Sequence, residues 1–423
     1  MRFYIKTFGC QMNERDSEKV EAILEENGWQ KSEDPKMADL LIVNSCAVRE
    51  KAENKIYSEI GRLRFKNRKA KIVAMGCVAQ FAYDRLSNVA DIVIGTNTID
   101  KFYRIAKDSS VEGIFIKDKM EEPDHIFPHV KSVVSFVDIM YGCDNFCTYC
   151  IVPYTRGREI SRKKEAIIDE IKELVDKGTK EVVLLGQNVN SYGKNLGYNF
   201  VDLLYEVNKI EGLRRIRFTT SHPKDFSKEL VYAIRDLDKL CEHVHLPFQA
   251  GSNRILKLMR RRYTIEEYLE KVFLLKSEVK NCSITTDIIV GFPTETEEDF
   301  KKTLEVVKTV EYDTSFSFKY SPRRFTKAAE MEGQIEEKKK LRRLNILQQL
   351  QAEITQRKLK EYEGKIVEVL IEGKAKKGNK LYGRNRQNIV VNVDFRDNIK
   401  AGDCLRVKIT NALKHSLIGE PIQ

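Results

Sequence analysis

Short apolar runs alternating with amphipathic stretches of helix length predict an α/β chain in three parts. A doubly wound parallel sheet comes first, an open (βα)6 partial TIM-type barrel follows, and a small antiparallel β-barrel closes the chain. Three observations carry this expectation. At 423 residues the chain exceeds what one hydrophobic core usually fills. Strand-length and helix-length patterns alternate twice, once before residue 125 and again, with six candidate strands, between about 131 and 325. Residues 363–423 then abandon the helical period for β-branched residues punctuated by glycine. The domains are accordingly placed at 1–125, 131–355 and 360–423.

In the first part, residues 3–7, 40–44, 71–75 and 92–95 are apolar runs of strand length, and 16–27 and 47–65 carry helical spacing between them. Two prolines in the polar stretch 121–128 mark a linker. The second part places strands at 135–140, 182–186, 215–219, 243–246, 283–290 and 315–320. Six βα units are too few to close an eight-strand barrel, so the expected form is open, with its reactive groups at the carboxy ends of the strands. A helix over 336–361, with Leu341, Leu344, Leu347 and Leu350 at spacings of three, leads into the last part. There Gly364, Gly373, Gly378, Gly383, Gly402 and Gly419 divide about five short strands.

Hydrophobic residues make up 42% and charged residues 32%, the balance of a globular chain, and no apolar stretch is long enough to span a membrane. The amino terminus lacks the order of a secretory signal, which predicts a cytoplasmic location and no membrane partner. The net charge of +11 is uneven: residues 1–320 carry 51 basic and 50 acidic side chains, residues 321–423 carry 23 and 13. A basic carboxy end suits a polyanion, and equally a solvated helix face.

Nine cysteines are too sparse for a disulfide scaffold, which points to metal or redox chemistry. Cys143, Cys147 and Cys150 form a C-x3-C-x2-C loop directly after a candidate strand. A cubane iron–sulfur cluster normally takes four thiolates, so three leave one iron open, the condition for catalysis at a metal. Completion by a distant His222 or His245 would make a zinc site instead. Cys10, Cys46 and Cys77 are distant in sequence but each lies where a candidate strand of the first part ends, so a doubly wound sheet would gather them in one crevice. A second cluster with an open iron is expected there. Gly9 and Gly76 would let the backbone approach it closely. Cys241, Cys282 and Cys404 show no ligand spacing and read as structural.

The C-x3-C-x2-C loop with Phe146 and Tyr149 beside it resembles the radical-SAM superfamily. Together with Cys10, Cys46 and Cys77, the whole chain resembles the methylthiotransferases, and within them the MiaB type, which acts on N6-isopentenyladenosine in tRNA. The motifs are Gly9-Cys10-Gln11-Met12-Asn13, Val48-Arg49-Glu50-Lys51-Ala52, Pro153-Tyr154-Thr155-Arg156-Gly157-Arg158-Glu159, Gln187-Asn188-Val189-Asn190, Ser221-His222-Pro223-Lys224 and Pro247-Phe248-Gln249-Ala250-Gly251. Ser45, Thr294 and Phe325 depart from the usual pattern, and none is a presumed ligand. Gln11-Met12-Asn13 separates this type from relatives acting on threonylcarbamoyladenosine or on a ribosomal-protein aspartate, which remain the alternative substrates; an RNA-binding redox sensor is the alternative of another class.

The resemblance implies two [4Fe–4S] clusters, held by Cys10, Cys46 and Cys77 and by Cys143, Cys147 and Cys150, together with S-adenosylmethionine. It implies reductive cleavage of one S-adenosylmethionine, hydrogen abstraction from C2 of the adenine and transfer of a methylthio group to that carbon. Tyr149, Gln187, Asn188, Ser221, Gln249, Gly291 and Phe292 are the expected S-adenosylmethionine contacts, and Arg156 and Arg158 would meet a carboxylate or phosphate. The carboxy-terminal barrel resembles a TRAM module, with Lys374, Lys376, Lys377, Lys380, Arg384 and Arg386 placed to meet RNA. The expected partners are tRNA and a low-potential electron donor such as flavodoxin or ferredoxin, with a sulfur donor left unassigned and the protein a monomer.

Overall fold

The computed structural model describes residues 1–47, 50–108, 110–121, 123–127, 131–375 and 378–422, the side chains of 50–53 and 106 excepted. Val48 and Arg49 of one quoted motif, and Lys376 and Lys377, lie outside the described residues.

The first sheet runs, in spatial order, Gln30–Lys31, Arg2–Phe8, Leu40–Ser45, Lys71–Met75, Ile92–Ile94 and Gly113–Phe115, with every pairing parallel. Leu40–Ser45 is buried at all six positions because both faces are covered. Its alternate residues enter two separate cores: Leu41 and Val43 pack with Ile56, Ile60 and Leu63, while Leu40 and Ile42 pack with Val20, Ile23 and Leu24. Strand order reverses between Arg2–Phe8 and Leu40–Ser45, which is where an open α/β sheet opens a crevice at its carboxy ends. The two-residue and three-residue edge strands were not expected from the pattern; each is too short to show a period.

The six central strands form two parallel three-stranded sheets. One pairs Val134–Asp138, Glu181–Leu185 and Arg215–Thr219; the other pairs His243–His245, Ser283–Val290 and Thr314–Lys319. A parallel bridge from Ile216 to Leu240 links the halves, so the chain order of an open six-unit barrel holds with a weakened join in the middle. One continuous core, including Val137, Leu184, Ile216, Val244, Ile288 and Phe300, fills it.

The Glu337–Lys360 helix starts beside Gly291, whose missing side chain leaves room for Lys340, and ends near Asp313, where Lys358 pairs at 2.9 Å. Its 24 residues span about 36 Å and carry the chain from the carboxy ends of the central strands to their amino ends. The buried positions are Lys340, Arg343, Leu347, Gln351, Ile354, Thr355 and Leu359, while Leu341 is exposed. The expected stripe of leucines at threes drifts off this face because a helix repeats every 3.6 residues.

Ile366–Lys374, Lys380–Asn385, Val390–Asp394, Cys404–Ala412 and Leu417–Pro421 close a five-stranded barrel. It departs from the wholly antiparallel expectation at one seam, since Val390–Asp394 and Leu417–Pro421 pair in parallel. The barrel docks where central strands begin. Arg217, almost fully buried, donates to Glu181 at 2.8 Å and to the carbonyls of Asn385 and Arg386 at 2.6 and 2.8 Å. Arg215 donates to the Arg384 carbonyl at 2.7 Å and to Glu368 at 2.8 Å. Arg217→Ala leaves Glu181 and two carbonyls short of their donor, and is expected to cost about 3–5 kcal/mol and free the barrel. Limited proteolysis should then cut near residue 361 well before wild type is touched.

Candidate functional site

Cys10, Cys46 and Cys77 follow three adjacent strands of the first sheet. Phe8 pairs with Ser45 and Asn44 with Met75, so the three chain ends leave the sheet within a residue or two of one level. Cys46 and Cys77 are buried and Cys10 is exposed, as a crevice with one open side requires. Cys46 is hydrogen-bonded to both other thiols, which pulls Cys10 down to about 7 and Cys77 down to about 6 against the desolvation of their enclosed sulfurs, and pushes Cys46 itself up. The Arg156 guanidinium adds to the pull on each. Thiolate is the form that binds metal, so Cys10 and Cys77 are electrostatically prepared to do so, whereas Cys46, raised well above the ordinary thiol range by the two thiols beside it, gives up its proton only on binding.

The backbone here leaves no room for side chains. Gly76 has φ +94°, and a Cβ on it would lie 2.2 Å from the Asn44 amide oxygen. A Cβ on Gly9 would lie 2.6 Å from Asn13 Oδ1. Behind the thiols an amide network fixes the floor: Asn13 Nδ2 donates to Asn44 Oδ1 at 2.9 Å, Asn44 Nδ2 donates to Ser17 Oγ at 2.9 Å, and the Cys10 thiol donates to Asn13 Oδ1 at 3.4 Å.

Cys143, Cys147 and Cys150 lie in the loop after Val134–Asp138, with Cys143 and Cys147 buried. Burial pushes Cys143 up to about 11 and Cys150 higher still, so a metal here displaces protons. Asn145 Nδ2 and Arg261 Nη1 donate to the sulfurs of Cys143 and Cys147, each at 3.5 Å. Arg261 is held by the Pro247 carbonyl at 2.8 Å and the Tyr263 hydroxyl at 3.1 Å. Such hydrogen bonds to sulfur tune a cluster. Arg261 escaped the sequence reading; its only signal is the run Arg260-Arg261-Arg262, whose outer members have positive φ. Among the described residues, no three His, Cys, Asp or Glu side chains close on a single metal ion. A cubane asks for something wider, since each of its thiolates meets a different iron.

The Val152–Arg156 helix begins two residues beyond Cys150 and packs against Cys77–Phe81, the helix that opens on Cys77. Arg156 Nη2 donates to Asp16 Oδ2 at 2.6 Å in a buried ion pair. One short helix thus ties the two cysteine sites together.

Beyond the thiols, buried polar atoms without a protein partner gather where the strands Glu181–Leu185, Arg215–Thr219 and His243–His245 end. Both amide atoms of Gln187 and of Asn190, Asn188 Oδ1, Ser221 Oγ, His222 Nε2 and Gln249 Oε1 are in this state. Each such atom costs about 1–3 kcal/mol unless something pairs with it, so their concentration fits a polar ligand with amine, carboxylate and hydroxyl groups. His222 accepts from the Lys224 amide through Nδ1 and burial keeps it neutral, which leaves Nε2–H as a donor. His222 and Asn190 were not among the expected ligand contacts, although both stand inside quoted motifs.

The remaining expected contacts are placed as follows. Tyr149 packs against the central core beside Arg261. The Gly291 amide donates to Glu295 at 2.6 Å, and Phe292 is fully buried against Tyr320, so neither is free to meet a ligand through those groups. Arg158 pairs with Asp144 at 2.7 Å. On the barrel, Arg384 donates through Nη1 to Glu372 while its side chain stays 36% exposed, and Arg386 donates to Glu242 and to the Leu240 carbonyl, so each guanidinium has a carboxylate partner within the protein. Lys374 lies over the Phe395 ring at 4.6 Å, and Lys380 lies 3.6 Å from Asp394.

Comparison with known proteins finds a match for each of the three parts of the chain. Residues 2–95 match the uncharacterized protein family UPF0004, 137–307 the Radical SAM superfamily and 360–422 the TRAM domain. The chain is 49% identical to the tRNA-2-methylthio-N(6)-dimethylallyladenosine synthase of Thermodesulfovibrio yellowstonii, covering 99% of this chain and 98% of that one. It is 47% identical to the enzyme of the same name from Caldicellulosiruptor saccharolyticus, covering 99% and 92%. Among solved structures, the radical S-adenosylmethionine methyltransferase TsrM from Kitasatospora setae shares the fold, with a TM-score of 0.56 at 12% identity over 78% of this chain and 77% of that one.

Proposed function

The chain belongs to the tRNA-2-methylthio-N(6)-dimethylallyladenosine synthases, a radical-SAM methylthiotransferase family, and from that premise we propose how its own residues carry the reaction. It is a tRNA methylthiotransferase that works with [4Fe–4S] clusters and S-adenosylmethionine, adding a methylthio group at C2 of N6-isopentenyladenosine, the dimethylallyl nucleoside by its other name, next to the anticodon. None of the described helices is long and apolar enough to cross a membrane.

When bound, the clusters and S-adenosylmethionine supply a 5′-deoxyadenosyl radical at one site and the methylthio group at the other. In our reading Cys143, Cys147 and Cys150 hold the first cluster, with Asn145 and Arg261 steadying its sulfurs. Cys10, Cys46 and Cys77 hold the second, with Arg156 offsetting its negative charge. Gln187, Asn188, Asn190, Ser221, His222 and Gln249 orient S-adenosylmethionine by pairing their free polar atoms with its amine, carboxylate and ribose. The protein's further part is to keep water from the reacting carbon. We assign 1–125, 131–355 and 360–423 as the domains, a low-potential donor such as flavodoxin or ferredoxin as reductant, and a monomer as the working form.

The observation that supports this reading most is the Val152–Arg156 helix, which starts at one cysteine trio and delivers its arginine to the other. Mass spectrometry of tRNA nucleosides from a strain lacking the gene tests it. Unmodified isopentenyladenosine should accumulate; unchanged methylthio-isopentenyladenosine would refute the assignment.

A further inference from the structure

Phe325 sits in a backbone conformation that L side chains avoid, at φ +70°, and 51% of it is exposed. Strain in the backbone is usually kept for a side chain that gains from its position. Burial supplies little of that gain here. The ring faces Tyr154, itself 43% exposed, at 6.3 Å between centroids and 32° between planes. Arg324 lies over the Phe325 ring at 5.0 Å, and among the described residues its guanidinium has no carboxylate partner.

This group is rigidly mounted beside the site. The Thr326 side chain and amide both donate to the Arg323 carbonyl, at 2.7 and 3.1 Å, closing a tight turn with Phe325 at its tip. The Ala328 amide donates at 2.9 Å to the carbonyl of Thr148, which lies between Cys147 and Cys150. Tyr154 belongs to the helix that joins the two cysteine trios. Two exposed rings and a guanidinium with no carboxylate partner among the described residues therefore stand beside the helix that joins the two trios.

We propose that Phe325, Tyr154 and Arg324 form a stacking platform for an unpaired base of the RNA substrate, next to the nucleotide that reaches the clusters. The inference rests on the assigned RNA substrate and adds the surface that grips its loop. An aromatic face backed by a guanidinium suits an unstacked base of any sequence, whereas a paired base in a duplex offers no free face.

The test measures binding of fluorescein-labelled RNA to the anaerobically reconstituted full chain. The probes are an isopentenyladenosine-containing hairpin, the same hairpin with single abasic positions flanking the target, and a duplex without a loop. Phe325→Gly relieves the backbone strain, so its melting temperature and iron content should match or exceed wild type. Its hairpin affinity should fall roughly tenfold, its duplex affinity should not change, and one abasic hairpin should bind wild type and variant equally. Phe325→Tyr should retain the affinity, and Phe273→Ala, an exposed ring elsewhere, should match wild type. Unchanged hairpin binding by Phe325→Gly, or an equal loss on the duplex, overturns the platform while leaving methylthiolation to stand. Loop binding that depends on Phe325 in a protein that never methylthiolates would instead sink the assigned reaction and spare the platform.

Discussion

Alanine at Cys143, Cys147 and Cys150 together should lower the iron and sulfide of the anaerobic protein from two clusters to one and reduce 5′-deoxyadenosine formation with dithionite to background. Alanine at Cys10, Cys46 and Cys77 should remove the other cluster, end methylthiolation, and leave cleavage of S-adenosylmethionine in place. The asymmetry follows from where the trios sit. Cys77 belongs to the core of Leu41, Val43, Ile72 and Ala74 and Cys46 is buried just past the strand Leu40–Ser45, while the loop of Cys143 and Cys147 hangs from the strand Val134–Asp138 of the central barrel. The partner-free atoms of Gln187, Asn190, Ser221 and Gln249 all belong to that central barrel, so S-adenosylmethionine binding does not pass through the first trio. Iron analysis and chromatography of the cleavage product decide the matter. If the second triple variant lost cleavage as well, the two sites would not be separable as described; zinc in place of iron would remove the proposed chemistry altogether.

Much of this arrangement was legible because burial on both faces writes itself as apolar runs. The expected strands at 71–75, 215–219 and 283–290 coincide with those observed. Cysteine position relative to strand ends was equally readable, since parallel strands of one sheet end together. What stayed hidden was polar. The first long helix begins at Gln11, five residues before the expected start, and its early turns bury Asn13, Arg15, Asp16 and Lys19. A hydropathy pattern marks such residues as surface. Only the partner elements, distant in sequence, make them interior. Arg384 and Arg386 show the converse: in a basic hairpin read as a surface for phosphate, two of the guanidiniums are also paired with carboxylates of the protein itself. Charge counts report how many cations a segment has, and say nothing of which ones the fold has already paired.

The buried charges between the first helix and the central barrel have the second large expected effect. Lys19 and Asp138 form an ion pair that is 2% and 1% exposed. Lys19 also faces the Tyr141 ring at 5.3 Å and Phe127 at 4.7 Å. Beside it Arg15 and Arg162 converge on Glu170, at 3.2 and 2.5 Å. Asp138→Ala strands the Lys19 ammonium in the interior, and should cost about 3–5 kcal/mol in urea unfolding. Lys19→Met should cost less, because the positive charge of Arg15 still acts on Asp138. The double change Lys19→Met with Asp138→Leu removes both charges at similar volume and should recover most of the loss. Burial raises the Asp138 carboxyl, and the cations Lys19 and Arg15 overcome it to hold the group below its usual range. Its contribution is therefore full above the unfolded value of about 4 and fades as pH falls through the lower folded value. Wild type should lose stability more steeply than the double variant below about pH 4, and parallel curves would show the pair to be energetically idle. Lys19 lies on the helix that starts after Cys10, and Asp138 on the strand that leads to Cys143. A pair that fixes these two elements also fixes the separation of the two cysteine sites. Asp138→Ala should accordingly lower the yield of methylthiolated product per 5′-deoxyadenosine formed, a ratio that general loss of folded protein would leave unchanged.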